Sequence, residues 1–167
     1  VAPARITRER PAEVLKPGQR FTVLSWNLQF AGTREHHFFY DGGRAVAVPP
    51  EHVARSLAAM RAVLAEVRPD IALLQEVDRG ATRTGYLDQL HPLFAVDGAP
   101  WSCWLSAPYH RSLYVPHPSH SHMGRVDLHL AIFSRFALRA GQRLDLPRLA
   151  EPWIRQAFNL KRALLWA

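Results

Sequence analysis

The chain has 167 residues, 48% of them hydrophobic, which is enough for one core and, by length, one domain. Its 21 Lys and Arg against 14 Asp and Glu leave a net charge of +7, a surface that attracts polyanions or anionic membranes, although Arg scattered among Ala, Leu and Pro is also what a GC-rich coding sequence produces. One cysteine, Cys103, excludes an intramolecular disulfide, and no run reaches the ~18 apolar residues of a membrane span or the apolar core of a signal peptide. A soluble cytoplasmic protein is therefore expected, with the reservation that a signal removed ahead of residue 1 leaves no trace.

Residues 1–20 are polar, contain the turn signal Lys16-Pro17-Gly18 and read as a flexible leader. A strand is predicted from Phe21 to Asn27. Residues 28–50 form a long irregular segment with a dense cluster from Glu35 to Asp41, and loops of that length are often functional. Val53, Leu57, Met60, Leu64 and Val67 recur at intervals of three and four, the stripe of an amphipathic helix that Pro50 can begin and Pro69 stops.

Ile71-Ala72-Leu73-Leu74 then runs into Gln75-Glu76-Val77-Asp78. An apolar run between turn signals reads as a strand buried on both faces, with Glu76 emerging at its carboxyl end. The Asn27 strand has the same design, and strand–helix–strand in this order is a βαβ-like unit. Further on, a short helix is predicted near Gly85–Leu90, a strand over Trp101–Leu105, a loop rich in Pro, Ser and His over Pro108–Gly124, strands over Asp127–Ser134 and Ala137–Leu144, and a last apolar run from Lys161 to Ala167.

Two strands ending in Asn27 and Glu76 outline a rim at the carboxyl edge of a sheet, where ligands of open α/β sheets bind. A carboxylate there is a hard oxygen ligand of the kind Mg²⁺ takes; a solvated glutamate ending a strand is the competing reading. Cys103, between Ser102 and Trp104, reads as a buried small hydrophobe.

The series Ser25-Trp26-Asn27-Leu28, Pro69 to Asp78, Leu130 to Phe136 and Lys161-Arg162-Ala163-Leu164 resembles, in order and spacing, the endonuclease/exonuclease/phosphatase superfamily, the deoxyribonuclease I-like group, over residues 21–167. The resemblance implies an α/β fold, a four-layer α/β sandwich, and metal-dependent hydrolysis of phosphodiesters or phosphomonoesters. It implies that Glu76 ligates the divalent metal, Mg²⁺ or in its place Mn²⁺, and that Asn27 helps order that metal and the scissile phosphate. The implied partner is a phosphate-ester substrate: nucleic acid, phospholipid or inositol phosphate. The family's second-half motifs, an Asn-x-His strand end, a Gly-Asp-x-Asn turn and a Ser-Asp-His terminus, do not occur in these residues. The expectation is thus an N-terminal portion with an incomplete C-terminal half, the rest coming from a missing segment or a second chain.

Arg79 and Arg83 follow the Glu76 strand and are candidate phosphate clamps, as is His122 in its loop; solvated surface is the competing reading for each. His117, His120 and His122, with His36-His37, allow a zinc site to be drawn. Phe38-Phe39-Tyr40 can stack on a base, dip into lipid or pack in the core. The alternative to an enzyme is a non-catalytic basic module that binds nucleic acid or a partner chain.

Overall fold

Residues 21–78 form the strand, helix and strand that their pattern predicts, and this unit builds one edge of the larger of two sheets. The computed structural model describes residues 1–147, 150, 152 and 162–167. In chain order it contains β1 (Ala2–Pro3), β2 (Ile6–Arg8), β3 (Val23–Asn27), α1 (Pro50–Val67), β4 (Ile71–Asp78), α2 (Leu90–Phe94), β5 (Cys103–Val115), β6 (Gly124–Ser134), β7 (Gln142–Asp145) and β8 (Ala163–Trp166). The large sheet has the order β2-β5-β6-β4-β3 and the small one β1-β7-β8.

α1 starts with Pro50 at its first position, where the missing N–H costs nothing. It ends at Arg68 in the left-handed region, whose N–H returns to the Leu64 carbonyl. Val53, Leu57 and Leu64 of the stripe are buried, whereas Val67 is exposed in the last turn. Parallel pairing of β3 with β4 runs from Val23 opposite Ile71 to Asn27 opposite Gln75. β3 is an edge strand with alternate residues exposed, and β4 buries Ala72 and Leu74 fully but Leu73 and Gln75 only in part. Neither strand is buried on both faces. Ser25 and Asn27, the polar positions of β3, fall on its exposed side.

The two sheets meet across an apolar cavity of about 370 Å³, lined by Leu73, Leu130 and Ile132 on one side and Leu146, Ala163 and Leu165 on the other. Residues 131 and 133 of β6 point the opposite way and join the core that includes Leu57 and Leu64 of α1 and Leu93 of α2. Helices on one face of the large sheet and a second sheet on the other make this the expected α/β architecture. Lys161, part of the last sequence motif, lies outside the described residues.

Three segments differ from the sequence reading. The expected leader is tied down: β1 pairs with β7, β2 pairs with β5, and Glu13 accepts two hydrogen bonds from the Arg135 guanidinium. Strands of two and three residues are too short to leave a periodic signal, because they are defined by backbone pairing with distant partners. The expected loop after Pro108 is instead the second half of β5, paired with β6 as far as Val115 opposite Gly124. Proline is tolerated there because the register shifts between Pro108 and His110, a bulge where no ladder N–H is required. The short helix begins later than expected, at Leu90, whose N–H is capped by the Asp88 carboxylate at 3.0 Å; Gly85, left-handed at φ +65°, ends a separate single turn over Thr82–Thr84.

Cys103 is fully buried, its Sγ 3.1 Å from the Phe136 carbonyl oxygen, and burial pushes the thiol pKa up. It is a packing residue.

On the helix face of β6, His129 is buried and its Nε2 lies 2.9 Å from Asp127 Oδ1. Burial holds its pKa below the ordinary value against the opposing pull of Asp127. A histidine kept neutral in the fold binds fewer protons than in the unfolded chain below its free pKa of about 6.5, so stability falls as pH drops through that value toward the folded pKa. Urea midpoints are expected to decline between about pH 7 and pH 5, and His129→Gln to flatten that decline. An unchanged slope in the variant would contradict the assignment.

Candidate active site

β4 does not run regularly to its end. Leu74 pairs with Ala131 and Val77 with His129, so Gln75 and Glu76 together face a single residue of β6. This is a β-bulge, a device that re-aims a side chain. Within it Glu76 adopts φ +57°, a left-handed conformation that costs a residue with a Cβ about 1–2 kcal/mol. The bulge presents the carboxylate to the neighbouring strand end, where Asn27 Nδ2 donates to Glu76 Oε1 at 2.9 Å.

Asn27 is fixed from its other side as well. Its Oδ1 accepts the Gln29 N–H at 2.9 Å, an Asx-type turn, and the Leu28 N–H extends the ladder to the Gln75 carbonyl. The chain then passes through three successive left-handed residues, Gln29, Phe30 and Ala31, with φ of 44°, 47° and 57°. Burial of Phe30 and Ala31 and a 2.8 Å bond from Gln89 Nε2 to the Phe30 carbonyl hold this turn in place.

Glu76 opens on a cavity of about 560 Å³. Phe30, Phe39, Tyr40, Tyr109, Val115, Met123, Val126 and Leu128 supply most of its wall, and Arg83, His110, His117 and Arg162 supply polar and cationic groups. Burial is the main cause that pushes the Tyr40 hydroxyl pKa up to about 12; Arg83 acts to lower it, and Glu76, Asp41 and Asp78 raise it further. Tyr40 therefore stays a phenol, able to donate a hydrogen bond, across the ordinary pH range.

The sequence-predicted residues divide. Asn27 and Glu76 meet, and Arg83 lines their cavity but has another commitment. Its Nε and Nη2 donate to the two oxygens of fully buried Asp78 at 2.9 and 2.7 Å, its own side chain is 5% exposed, and its guanidinium lies 3.7 Å over the Phe30 ring. It supplies charge to the site from a fixed position and its fork is not open to a phosphate.

Arg79 is placed elsewhere. It is bound to both oxygens of Asp88 and to Ser106, in a separate cavity of about 320 Å³ shared with Arg111, Asp127 and His129. Arg79 directly follows β4 and Arg83 lies in the separate turn after it, and here the Asp88 carboxylate captured the Arg79 guanidinium. His122 is exposed, hydrogen-bonded to the Tyr114 hydroxyl, and does not line the cavity; its neighbour His117 does. The three loop histidines do not converge, and the one cluster with metal-ligand spacing among the described residues is Glu35, His36 and His52.

Tyr109 and His110 escaped the sequence reading because Pro108 suggested a loop. The apolar and aromatic residues from Tyr109 to Val115 were the available strand signal. Phe30 had no such signal, since left-handed turns of non-glycine residues have no sequence pattern.

The model of the Endonuclease/Exonuclease/phosphatase family matches residues 24–166. This chain belongs to the endonuclease/exonuclease/phosphatase family. The match spans both sheets, from β3 to β8, so family membership covers the deoxyribonuclease I-like fold as well as the Asn27 and Glu76 strands. No curated protein and no solved structure matches the chain. At the level of the family, the chemistry is that of phosphoesterases.

Two stability measurements test this geometry. Glu76→Gly removes the left-handed strain and Glu76→Ala keeps it, so the glycine variant is expected to be the more stable by about 0.5–1 kcal/mol in urea unfolding, after allowing for glycine's greater unfolded-state entropy. An alanine variant of equal or higher stability would contradict the strained bulge. Arg83→Ala strands a buried carboxylate and is expected to cost about 3–5 kcal/mol, much of it recovered in an Asp78→Leu/Arg83→Met double variant.

Proposed function

We propose that Asn27 and Glu76 form the metal-binding part of a Mg²⁺-dependent phosphoesterase site, with Mn²⁺ able to substitute. The observation that carries this reading is the 2.9 Å Asn27–Glu76 hydrogen bond on a strained bulge at the mouth of the cavity. Strain of this kind persists where surrounding structure enforces it, and it clusters at functional sites. The donor set suits Mg²⁺, which binds through one or two carboxylates, keeps several waters and completes its shell with substrate phosphate. When bound, such an ion would neutralise charge on the phosphoryl oxygens. The chain's own residues would do the rest: Glu76 as ligand, Asn27 holding that carboxylate in place through its amide N–H, and Tyr40 offering a phenolic donor.

The lining also narrows the substrate. An inositol polyphosphate requires several open cationic forks, whereas this cavity is largely aromatic and aliphatic and Arg83 is taken by Asp78. A single phosphoester carrying a planar or apolar body, such as a nucleotide strand or a lipid, fits these walls better.

The water-activating base is the part that these residues do not supply. Gly-Asp-x-Asn, Asn-x-His and Ser-Asp-His are absent from the sequence, so in this reading full turnover needs a further segment or a partner chain. The same absence, with the net charge of +7, favours the second reading, a non-catalytic module that binds nucleic acid through its basic surface.

Binding of Mn²⁺, followed by its electron paramagnetic signal, is expected in the wild-type chain and lost in Glu76→Gln. Bis-p-nitrophenyl phosphate with Mg²⁺ is expected to give little turnover. Robust turnover abolished by Glu76→Ala would overturn the divided site and leave the phosphoesterase; Mn²⁺ binding indifferent to Glu76, with Mg²⁺-independent and salt-sensitive DNA affinity, would favour the module.

A further inference from the structure

A second group of ligand-type side chains lies outside the Glu76 cavity. Glu35 and His36 sit on the long segment between β3 and α1, and His52 sits in the first turn of α1. His52 Nδ1 is 3.1 Å from Glu35 Oε2 and 3.1 Å from His36 Nε2, and one ligand atom from each residue lies within 4.8 Å of the other two. The two imidazoles are partly buried, with ring centroids 4.7 Å apart and planes inclined at 59°.

These spacings are those of a coordination shell. Zn²⁺ holds imidazole nitrogen and carboxylate oxygen at about 2.0–2.2 Å, which puts tetrahedral neighbours about 3.3–3.5 Å apart. Two of the three edges are already within a few tenths of that distance. The ligand types, two histidines and one carboxylate, suit zinc better than Mg²⁺, whose preference is for oxygen alone. The nearest cation, Arg55 Nη2, is 4.0 Å from the same Glu35 oxygen, and both of those side chains are about two-thirds exposed, so it is free to swing away.

We propose that Glu35, His36 and His52 form a Zn²⁺ site that staples the segment after β3 to the start of α1. The segment leads directly from the site to the cavity wall: Phe38 is buried, Phe39 packs edge-on against His117 at 5.1 Å, and Phe39 and Tyr40 line the same cavity as Glu76. A metal joining residues 35, 36 and 52 fixes the root of that aromatic wall. The site stands on its own geometry and does not depend on the phosphoesterase reading.

Zinc titration of the chelator-treated protein against a chromogenic competitor is expected to show one tight equivalent per chain. Loss of a residue that only hydrogen-bonds to a ligand commonly costs 10–100-fold in metal affinity, so loss of a ligand itself in His36→Ala or His52→Ala should cost more than about 100-fold. Glu35→Gln, at an exposed side chain that the fold does not need, should weaken binding too, while Glu76→Gln and a His120→Ala/His122→Ala pair should leave it unchanged. Co²⁺ in the wild-type protein should give the intense visible absorption of a four-coordinate site, a readout that requires no variant. Zn²⁺ should also slow tryptic cleavage after Arg44. Absence of a tight equivalent, or binding indifferent to His36, His52 and Glu35, would overturn the site; tight binding with unchanged cleavage would overturn the staple.

Discussion

Everything at the candidate site depends on one departure from regular strand geometry. β4 must carry Ala72 and Leu74 to the helix-side core and Leu73 toward the second sheet, a strict alternation set by the two-residue period. Continued unchanged, that period gives Glu76 the face opposite Gln75. The bulge breaks the period after Leu74, restores it at Val77 so that Val77 is again buried, and uses the extra residue to aim a carboxylate at the end of the next strand. The left-handed φ at Glu76 is the cost of that re-aiming. It is sustained because the strand is pinned on both sides, by β3 in parallel and β6 in antiparallel pairing. The same logic applies across the rim, where three left-handed residues after Asn27 are held by the burial of Phe30 and Ala31.

How far this was legible in the sequence follows from what each element leaves as a pattern. α1 writes its burial every three or four residues, and β4 is an apolar run between turn signals, so both could be located to within a residue or two. The order of Asn27 and Glu76 on consecutive parallel strands followed from strand, helix, strand alone. Their 2.9 Å contact did not, because a strand pattern with ideal alternation has no place for a bulge. β1 and β2 were invisible for another reason: two- and three-residue edge strands are defined by their partners Gln142–Arg143 and Cys103–Leu105, more than 90 residues away, and carry no periodicity of their own. The second half of β5 was hidden by Pro108, which forbids a regular central strand but is compatible with one that shifts register there.

The arginines show the same limit in electrostatic form. Sequence proximity to Glu76 made Arg79 and Arg83 equivalent, yet each had a carboxylate of its own within ten positions, Asp88 and Asp78, and each was captured by it. A buried carboxylate with no counter-charge costs far more than an exposed arginine gains by waiting for a ligand. For Arg83 the partner was therefore settled by the burial of Asp78, which a linear reading does not rank, whereas Arg79 and the partly exposed Asp88 are joined by their forked hydrogen bonds. What separates them is the alternation of β4 and β6: Asp78 pairs with Leu128 on the cavity side, while Val77 pairs with His129 on the helix side.

That capture bears on how a phosphate would be stabilised. The chain carries an excess of seven basic residues, but of the two arginines that follow the Glu76 strand, Arg83 is neutralised by Asp78 and Arg79 is bound to Asp88 in a separate cavity, which leaves Arg162 as the other guanidinium lining the Glu76 cavity. Glu76 itself adds negative charge to a largely apolar cavity, an environment in which an approaching phosphate dianion or diester meets repulsion that low polarity magnifies. In the proposed reading, positive charge that arrives with or before the substrate would add to that of Arg162 and offset this repulsion. A divalent cation on Glu76, as proposed, would supply two units at the one carboxylate the bulge exposes, without calling on the Arg83 fork. The placement of Arg83 against Phe30 and the strain at Glu76 thus support the same reading from two directions: the fold commits Arg83 to Asp78 in the core and holds a hard anionic ligand at the cavity on strained backbone.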